Sequence, residues 1–171
     1  MTRHISFSVL SISGYACNFI LDIIPTAKLL ESGDMQADIY VDNVHYNVVF
    51  HISGSTLLQE LTYSEKCNGE TYTLPAKVQI SDGIIICYHF GEVFSHILFD
   101  IIGFYIPKLV SLHVTAPIIV MGIGDHTLKD VIELNEREVN MYECAAYHTV
   151  CDPCSEQRFE IVEKMVRLCD A

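Results

Sequence analysis

The chain contains no tryptophan, and only 10 of its 171 residues are Lys or Arg, against 22 Asp and Glu. The resulting net charge of −12 opposes contact with phosphate, because nucleic-acid binders gain affinity by replacing counterions with basic side chains. No run of basic residues offsets this charge. We therefore do not expect the chain to bind nucleic acid directly on its own, and a basic protein partner fits its charge better.

The sequence also lacks Asn-x-Ser/Thr sites, and its seven cysteines are odd in number and scattered. A secreted disulfide scaffold is usually shorter, with an even number of cysteines. An intracellular protein that is not secreted is therefore predicted. No uncharged hydrophobic run reaches the roughly 18 residues of a membrane span. The most apolar stretch, 84–124, is interrupted by Glu92, Asp100 and Lys108, so no membrane association is expected.

Half of the residues are hydrophobic and 19% are charged, which is enough apolar material for the core of one folded domain. Near the start, Ile5, Phe7 and Val9 alternate with two serines, as in a half-buried strand rather than a signal peptide. The sequence predicts strands at 5–13 and 18–24.

Two β-hairpins are predicted next, because runs of β-forming residues flank short turn sequences. They span 37–52, with a turn at Asp42-Asn43, and 72–90, with a turn at Asp82-Gly83.

Helical spacing of apolar residues then predicts an amphipathic helix over 92–106, ending before Pro107. Short strands are expected at 109–114 and 117–123. A helix start is expected near Thr127 and Asp130, which have the spacing of a capping box. The last helix is predicted to start at Asp152-Pro153 and to continue to residue 169.

The order strand, strand, strand, helix, strand, strand from Val44 onward resembles the OB-fold, a five-stranded barrel with a helix between its third and fourth strands. The 78–87 hairpin is similar to one found in OB subunits of telomere-capping and single-strand-binding complexes. The resemblance implies a mainly β fold with C-terminal helices (α+β). Its parts would be N-terminal strands (1–43), an OB-like five-stranded barrel (44–124) and a C-terminal helical region (125–171) within a single domain. It also implies a nuclear subunit of a chromosome-end assembly.

The last helix carries a wide apolar stripe that must be buried against the sheet or against another subunit. We expect the stripe to bind other protein subunits, which makes the chain a non-enzymatic interaction subunit acting through its C-terminal helices. The predicted partner-binding residues are Phe159, Val162, Met165, Val166 and Cys169.

Four residues of zinc-binding type, Cys144, His148, Cys151 and Cys154, follow one another with the spacing C-x3-H-x2-C-x2-C. If 140–149 were helical, Cys144 and His148 would share a face. The alternative function is therefore a zinc-stabilised regulatory module over 144–154. The alternative structure is a helix–turn–helix corner in which small cysteines pack in the core.

No catalytic residues are predicted. Cys87 and His89 share a strand face, but no orienting carboxylate accompanies them, and core packing is the preferred interpretation. Gly122-Ile123-Gly124 lacks the third glycine of a dinucleotide-binding motif, because Thr127 stands in its place. The aromatic residues of the strands are also expected to fill the core. They are Tyr40, Tyr46, Phe50, Tyr72, Tyr88 and Phe90.

Overall fold

The computed structural model describes residues 1–11, 16–53, 74–89, 101–112, 114–124, 127–150 and 155–170. Seven strands form one mixed sheet, and helices pack on its faces. The strands are β1 (Thr2–Ser11), β2 (Lys28–Leu29), β3 (Met35–Val41), β4 (Val44–Ser53), β5 (Gly83–His89), β6 (Ile118–Ile123) and β7 (Ala145–Val150). The α-helices are α1 (Ala16–Ile23), α2 (Ala76–Gln79), α3 (Ile106–Ser111), α4 (Lys129–Asn140) and α5 (Ser155–Cys169), and a π-helical turn (Ile101–Tyr105) leads into α3.

The sheet has the order β2-β3-β4-β1-β5-β6-β7. The first three of these strands pair antiparallel, whereas β4, β1, β5, β6 and β7 are all parallel to one another. Parallel neighbours need long crossover connections, which the helices supply. The expected α+β character and C-terminal helix are confirmed. The OB-like barrel is not confirmed, because the sheet is open, with β2 and β7 at its edges, and most of its pairing is parallel.

The N-terminal strand is the structural centre of this sheet. β1 pairs with β4 on one side and with β5 on the other. A single sheet therefore runs through all three predicted segments, 1–43, 44–124 and 125–171.

Two apolar clusters lie on opposite faces of the sheet. On one face, α1 and α5 pack against each other and cover alternate residues of β1 and β4. These residues include Phe7 and Phe50, whose stacked rings have centroids 5.7 Å apart. On the other face, α2, α3 and α4 contribute Val78, Leu109 and Val139 to the second cluster. Both faces of β5 are buried, which explains the uninterrupted apolar run Ile84–Ile86.

Several predicted elements are confirmed. β1, the β3–β4 hairpin and β6 occur where the sequence places them, and α4 begins near the predicted helix start. The predicted capping box is wrong, because the N-cap of α4 is Leu128 and its side chain makes no capping hydrogen bond. The last predicted helix is confirmed over Ser155–Cys169, and its predicted start at Asp152-Pro153 lies outside the described residues.

The strand predicted at 18–24 is wrong, because this segment belongs largely to α1. Ile20, Ile23 and Ile24 have helical spacing and are all buried, while Leu21 is 40% exposed. The strand predicted at 109–114 is also wrong, since α3 continues to Ser111. Pro107 lies in the first turn of α3, where its missing N–H is not needed, so it does not end a helix at 106.

The second predicted hairpin is wrong. Residues 76–79 form α2 after Pro75, and β5 pairs with β1 and β6 rather than with the preceding segment. Gly83 is required for packing and not for a hairpin turn. A Cβ on Gly83 would lie 2.8 Å from the ring of Phe7 and 2.7 Å from Sγ of Cys169.

None of the helices within the described ranges is long and apolar enough to cross a membrane.

Candidate functional site

The β3–β4 hairpin is tightly closed and fixed to the rest of the fold. Its turn residues Asp42 and Asn43 have φ of 50° and 63°, a conformation that Asn and Asp tolerate and that two-residue hairpin turns require. Asp42 also forms a 2.8 Å ion pair with Arg167 near the end of α5. At the same end, Tyr46 donates a 2.7 Å hydrogen bond to Asp170, which also pairs with Arg3. The hairpin therefore has a defined position relative to α5.

The two faces of the hairpin differ in character because successive strand residues point to opposite sides. One face supplies buried residues such as Ala37, Tyr46, Val48 and Phe50 to the first apolar cluster. The opposite side of β3 and β4 is polar and partly exposed to solvent. We call this side the hairpin face and define it by Gln36, Asp38, Tyr40, His45 and Asn47.

Hydrogen bonds join the side chains of the hairpin face. Gln36 donates to Asn47 Oδ1 at 3.0 Å, and Asn47 in turn donates to Asp38 Oδ1 at 3.0 Å. His45 Nε2 lies 3.1 Å from the same Asp38 oxygen, and His45 Nδ1 lies 3.0 Å from the hydroxyl of Thr2. The hydrogen bond from Asn47, followed by the one from His45, lowers the pKa of Asp38. Asp38 is therefore an anionic acceptor at neutral pH.

Tyr40 is the most prominent apolar group on this face. It is 64% exposed, and its ring stacks on His45 with centroids 4.9 Å apart. Because His45 is held by its hydrogen bonds, the tyrosine ring rests on a fixed support. From its sequence context Tyr40 was expected in the core, together with five other aromatic residues. That assignment is confirmed for Tyr46, Phe50 and Tyr88, it is wrong for Tyr40, and Tyr72 and Phe90 lie outside the described residues.

The predicted partner-binding residues of α5 face mostly inward. Val162 is 7% exposed, and Met165 and Val166 are each 1% exposed, because the first apolar cluster surrounds them. Cys169 is partly buried and packs against the same cluster. Phe159, by contrast, is 53% exposed. Of the predicted set, Phe159 is therefore the residue whose side chain is open to a partner in this fold.

Of the predicted zinc ligands, Cys144 and His148 do not lie together on a helix. Cys144 is exposed in the turn before β7, and His148 is in β7 itself. Ala145, the first residue of β7, directly follows Cys144. Because a strand rises about 3.3 Å per residue, His148 lies about 10 Å further along β7 from Ala145. The shared helical face expected of Cys144 and His148 is therefore wrong. Cys151 and Cys154 lie outside the described residues, and among those described no group of three or more potential ligands is suited to a metal. Zinc binding stays a prediction.

Doubly wound sheets bind ligands beyond the carboxyl ends of their strands, where the connections of two neighbouring strands leave in opposite directions. Here this position lies between β1 and β5, at the register pair Ser11 and Cys87. Burial raises the pKa of the Cys87 thiol to about 11, against the effect of a hydrogen bond from Ser11. Cys87 is therefore protonated at neutral pH and unsuited to nucleophilic attack. The side chain of His89 lies outside the described residues.

P-loop proteins hold phosphate with the sequence Gly-x4-Gly-Lys-Ser/Thr between a strand and the helix that follows it. In this chain the sequence 12–15 is Ile-Ser-Gly-Tyr, with one glycine and no lysine. The motif that would neutralise a phosphate group is therefore missing from the sequence at this position.

Sequence reasoning missed the hairpin face. The alternation of residues 44–52 was recognised, but alternation alone does not show which side of a strand faces solvent. The pairing of Asp38 with Asn47 and of Tyr40 with His45 across the two strands was the available signal, because it places polar and aromatic groups on one side.

No protein-family model matches this chain, and no curated protein matches it either.

Proposed function

We propose that the protein is a non-enzymatic protein–protein interaction subunit of a multiprotein complex, and that it binds its partner with the hairpin face. The observation that carries this proposal is the exposed Tyr40 ring stacked on a fixed His45. Tyrosine is enriched at protein interfaces, because it supplies a large contact area and loses little conformational entropy on binding.

The hydrogen bonds among Gln36, Asn47, Asp38 and His45 support this proposal. Side chains that are already ordered in the free protein lose less entropy when a partner binds, so more of the contact energy appears as affinity. A surface made only of solvated, unconnected side chains would not have this advantage.

The outer edge of β3 offers a second means of contact. β2 pairs with β3 only at Met35 and Gln36, and no other described residue pairs with the outer edge over 37–41. An unpaired strand edge presents backbone donors and acceptors to an extended segment of a partner. Such a segment would lie directly beside Tyr40.

Charge favours a basic partner. Asp38 is anionic and its side chain is 63% exposed, and the whole chain carries a net charge of −12. Electrostatic attraction accelerates association with a positively charged surface and opposes both nucleic acid and a second copy of this acidic chain.

The proposal does not include a telomere-capping or single-strand-binding setting, or a nuclear location. Those expectations depended on the resemblance to OB subunits, and the open sheet gives them no support. They stay predictions.

Affinity purification of the tagged full-length chain from cells that produce it tests the proposal. Tyr40→Ala should reduce the recovery of specifically co-purifying proteins at least tenfold, a loss typical of a central interface residue. Phe159→Ala is the matched control, because Phe159 is a similarly exposed aromatic residue on α5. Circular dichroism of both variants verifies that they are folded.

Each alternative outcome contradicts part of the proposal. If Tyr40→Ala retains the partners and Phe159→Ala loses them, the binding surface lies on α5 and not on the hairpin face. If both variants retain the partners, neither exposed ring is central to binding. If no protein is recovered specifically with the wild-type chain, the protein is not an interaction subunit.

A further inference from the structure

A buried carboxylate joins three separate segments next to the hairpin. Asp34 immediately precedes β3 and is 6% exposed. Its Oδ2 atom lies 3.1 Å from His51 Nδ1 on β4 and accepts a 3.0 Å hydrogen bond from Lys77 Nζ on α2. Its Oδ1 atom accepts a 3.3 Å hydrogen bond from the backbone N–H of Ile52. Both carboxylate oxygens are therefore satisfied from within the fold.

The helix that carries Lys77 has few attachments of its own. α2 is four residues long, which is far too short for a helix that is stable in isolation. Val78 is its buried residue. The hydroxyl of Ser81 donates to the carbonyl of Lys77 at 2.6 Å and lies 2.7 Å from the hydroxyl of Ser8 on β1. Among the described contacts, the pair between Lys77 and Asp34 is the ionic attachment of α2 to the sheet.

We infer that Asp34 is an electrostatic latch that holds α2 closed against the sheet and that removing the Lys77 charge opens α2 locally. The two sides of the latch differ in how firmly they are fixed. When the Lys77 charge is removed, Asp34 still contacts His51 and still accepts the hydrogen bond from the Ile52 N–H, so the sheet side stays ordered. Among the described contacts, α2 keeps Val78, the serine contacts and, just beyond its end, the hydrogen bonds between Asp82 and Ser6. Segments with few buried contacts open at a lower free energy than the whole fold does. Opening would expose the Ser8 and Ser81 hydroxyl pair.

Hydrogen exchange followed by mass spectrometry tests the latch in the full-length protein. The backbone N–H groups of Val78, Gln79, Ile80 and Ser81 are bonded within the turn and report its opening. Lys77→Met removes the charge and keeps the length of the side chain. We expect these amides to exchange roughly three- to tenfold faster than in the wild type, because a charged hydrogen bond with one partly exposed partner contributes modestly. Lys164→Met, at an exposed lysine on α5, is the control and should match the wild type.

A second variant tests whether the pair between Asp34 and Lys77 is the interaction that keeps α2 closed. Asp34→Asn also removes the charge that faces His51, but it should open the same segment. Adding Lys77→Met to it should have little further effect on the α2 amides, because both changes break the pair between Asp34 and Lys77. Unchanged exchange in Lys77→Met overturns the inference. Equal protection of the α2, β1 and β5 amides in the wild type also overturns it, since α2 would then open only when the whole fold unfolds. His51 and Lys77 are the titratable groups that act on Asp34, so the comparison is made at constant pH. None of these outcomes depends on a partner protein.

Discussion

The side-chain amide of Asn135 donates a 2.8 Å hydrogen bond to the hydroxyl of Tyr88 inside the protein, where both residues are buried. This bond links α4 to the carboxyl end of β5 through an otherwise apolar cluster. Tyr88→Phe would leave the Asn135 amide buried without this acceptor, at a cost of about 1–3 kcal/mol. We expect the melting temperature to fall by roughly 2–4 °C for each kcal/mol lost. Tyr40→Phe is the control: it removes an exposed hydroxyl and should leave the melting temperature nearly unchanged. An equal fall in melting temperature in both variants would contradict the stabilising role of the hydrogen bond between Asn135 and Tyr88.

Gly83→Ala should destabilise the protein, because the added methyl group would overlap the ring of Phe7 and Sγ of Cys169. Overpacking of this kind costs about 1–3 kcal/mol. Gly103→Ala is the matched control, since no described atom lies within 4 Å of its added Cβ. It should be neutral or stabilising by about 0.5–1 kcal/mol, as alanine is favoured over glycine in helices. Urea unfolding of the two variants provides the measurement, and equal effects would refute the packing role of Gly83.

Acidification should weaken the protein partly through Asp34. Burial alone would raise the pKa of Asp34, but the hydrogen bonds and charges of Lys77 and His51 outweigh it and hold the pKa below the ordinary value of 3.8. The stabilisation is therefore fully present above pH 3.8 and is lost as the pH falls through the lower folded-state pKa.

Asp34→Asn removes this contribution. We expect the variant to be less stable than the wild type by about 1–3 kcal/mol at pH 7. The difference should narrow as the pH falls below 4. Thermal unfolding monitored by circular dichroism from pH 7 to pH 3 checks both expectations, and a constant difference across this range would rule out the charged role of Asp34.

The apolar stripe of α5 should behave as core. Met165→Ala should cost about 2–5 kcal/mol, the usual loss for a large buried side chain. Phe159→Ala should change the stability by less than about 0.5 kcal/mol, because its side chain is largely exposed. Chemical unfolding of both variants measures the contrast. Deleting residues 153–171 should therefore unfold the protein rather than merely release a partner, and a folded, cooperative truncation would contradict the placement of α5.

The predicted zinc site has a direct test. If residues 144–154 bind zinc, elemental analysis of protein purified without chelator should find about one zinc per chain, as a single structural site would hold. Cys154→Ser should lower the zinc content, and Cys169→Ser, on the interior side of α5, should not. Wild-type protein without stoichiometric zinc would disprove the site.

Local signals in the sequence were sufficient for several elements. The turn chemistry of Asp42-Asn43 and the flanking alternation predicted the β3–β4 hairpin, and the apolar spacing predicted α5. What remained unpredicted depends on contacts between distant parts of the chain. Asp82-Gly83 has the composition of a hairpin turn, but the glycine is required by Phe7 and Cys169, which lie far away in the sequence. The parallel pairing of β1 has no sequence signature comparable to that of a hairpin.

In the candidate site, too, the local structure could be predicted from the sequence, whereas the features that depend on distant contacts could not. Asp38, Tyr40 and His45 were each visible in a predicted strand, yet their exposure depends on which face of the sheet the helices cover. α1 and α5 cover one face of the hairpin, and the helices of the other face pack over β5 and β6. For α5 the apolar stripe was recognised from the sequence. The sequence could not show whether the stripe is buried within the chain or against a second protein.

The central position of β1 has a consequence for biosynthesis. β1 leaves the ribosome before every other strand, yet the backbone N–H of its Ser6 bonds to Asp82, 76 residues further along the chain. The middle of the sheet therefore stays unfinished until β5 (Gly83–His89) has been translated. Until then the edge of β1 that pairs with β5 is unpaired, a condition that favours aggregation and that chaperones counteract.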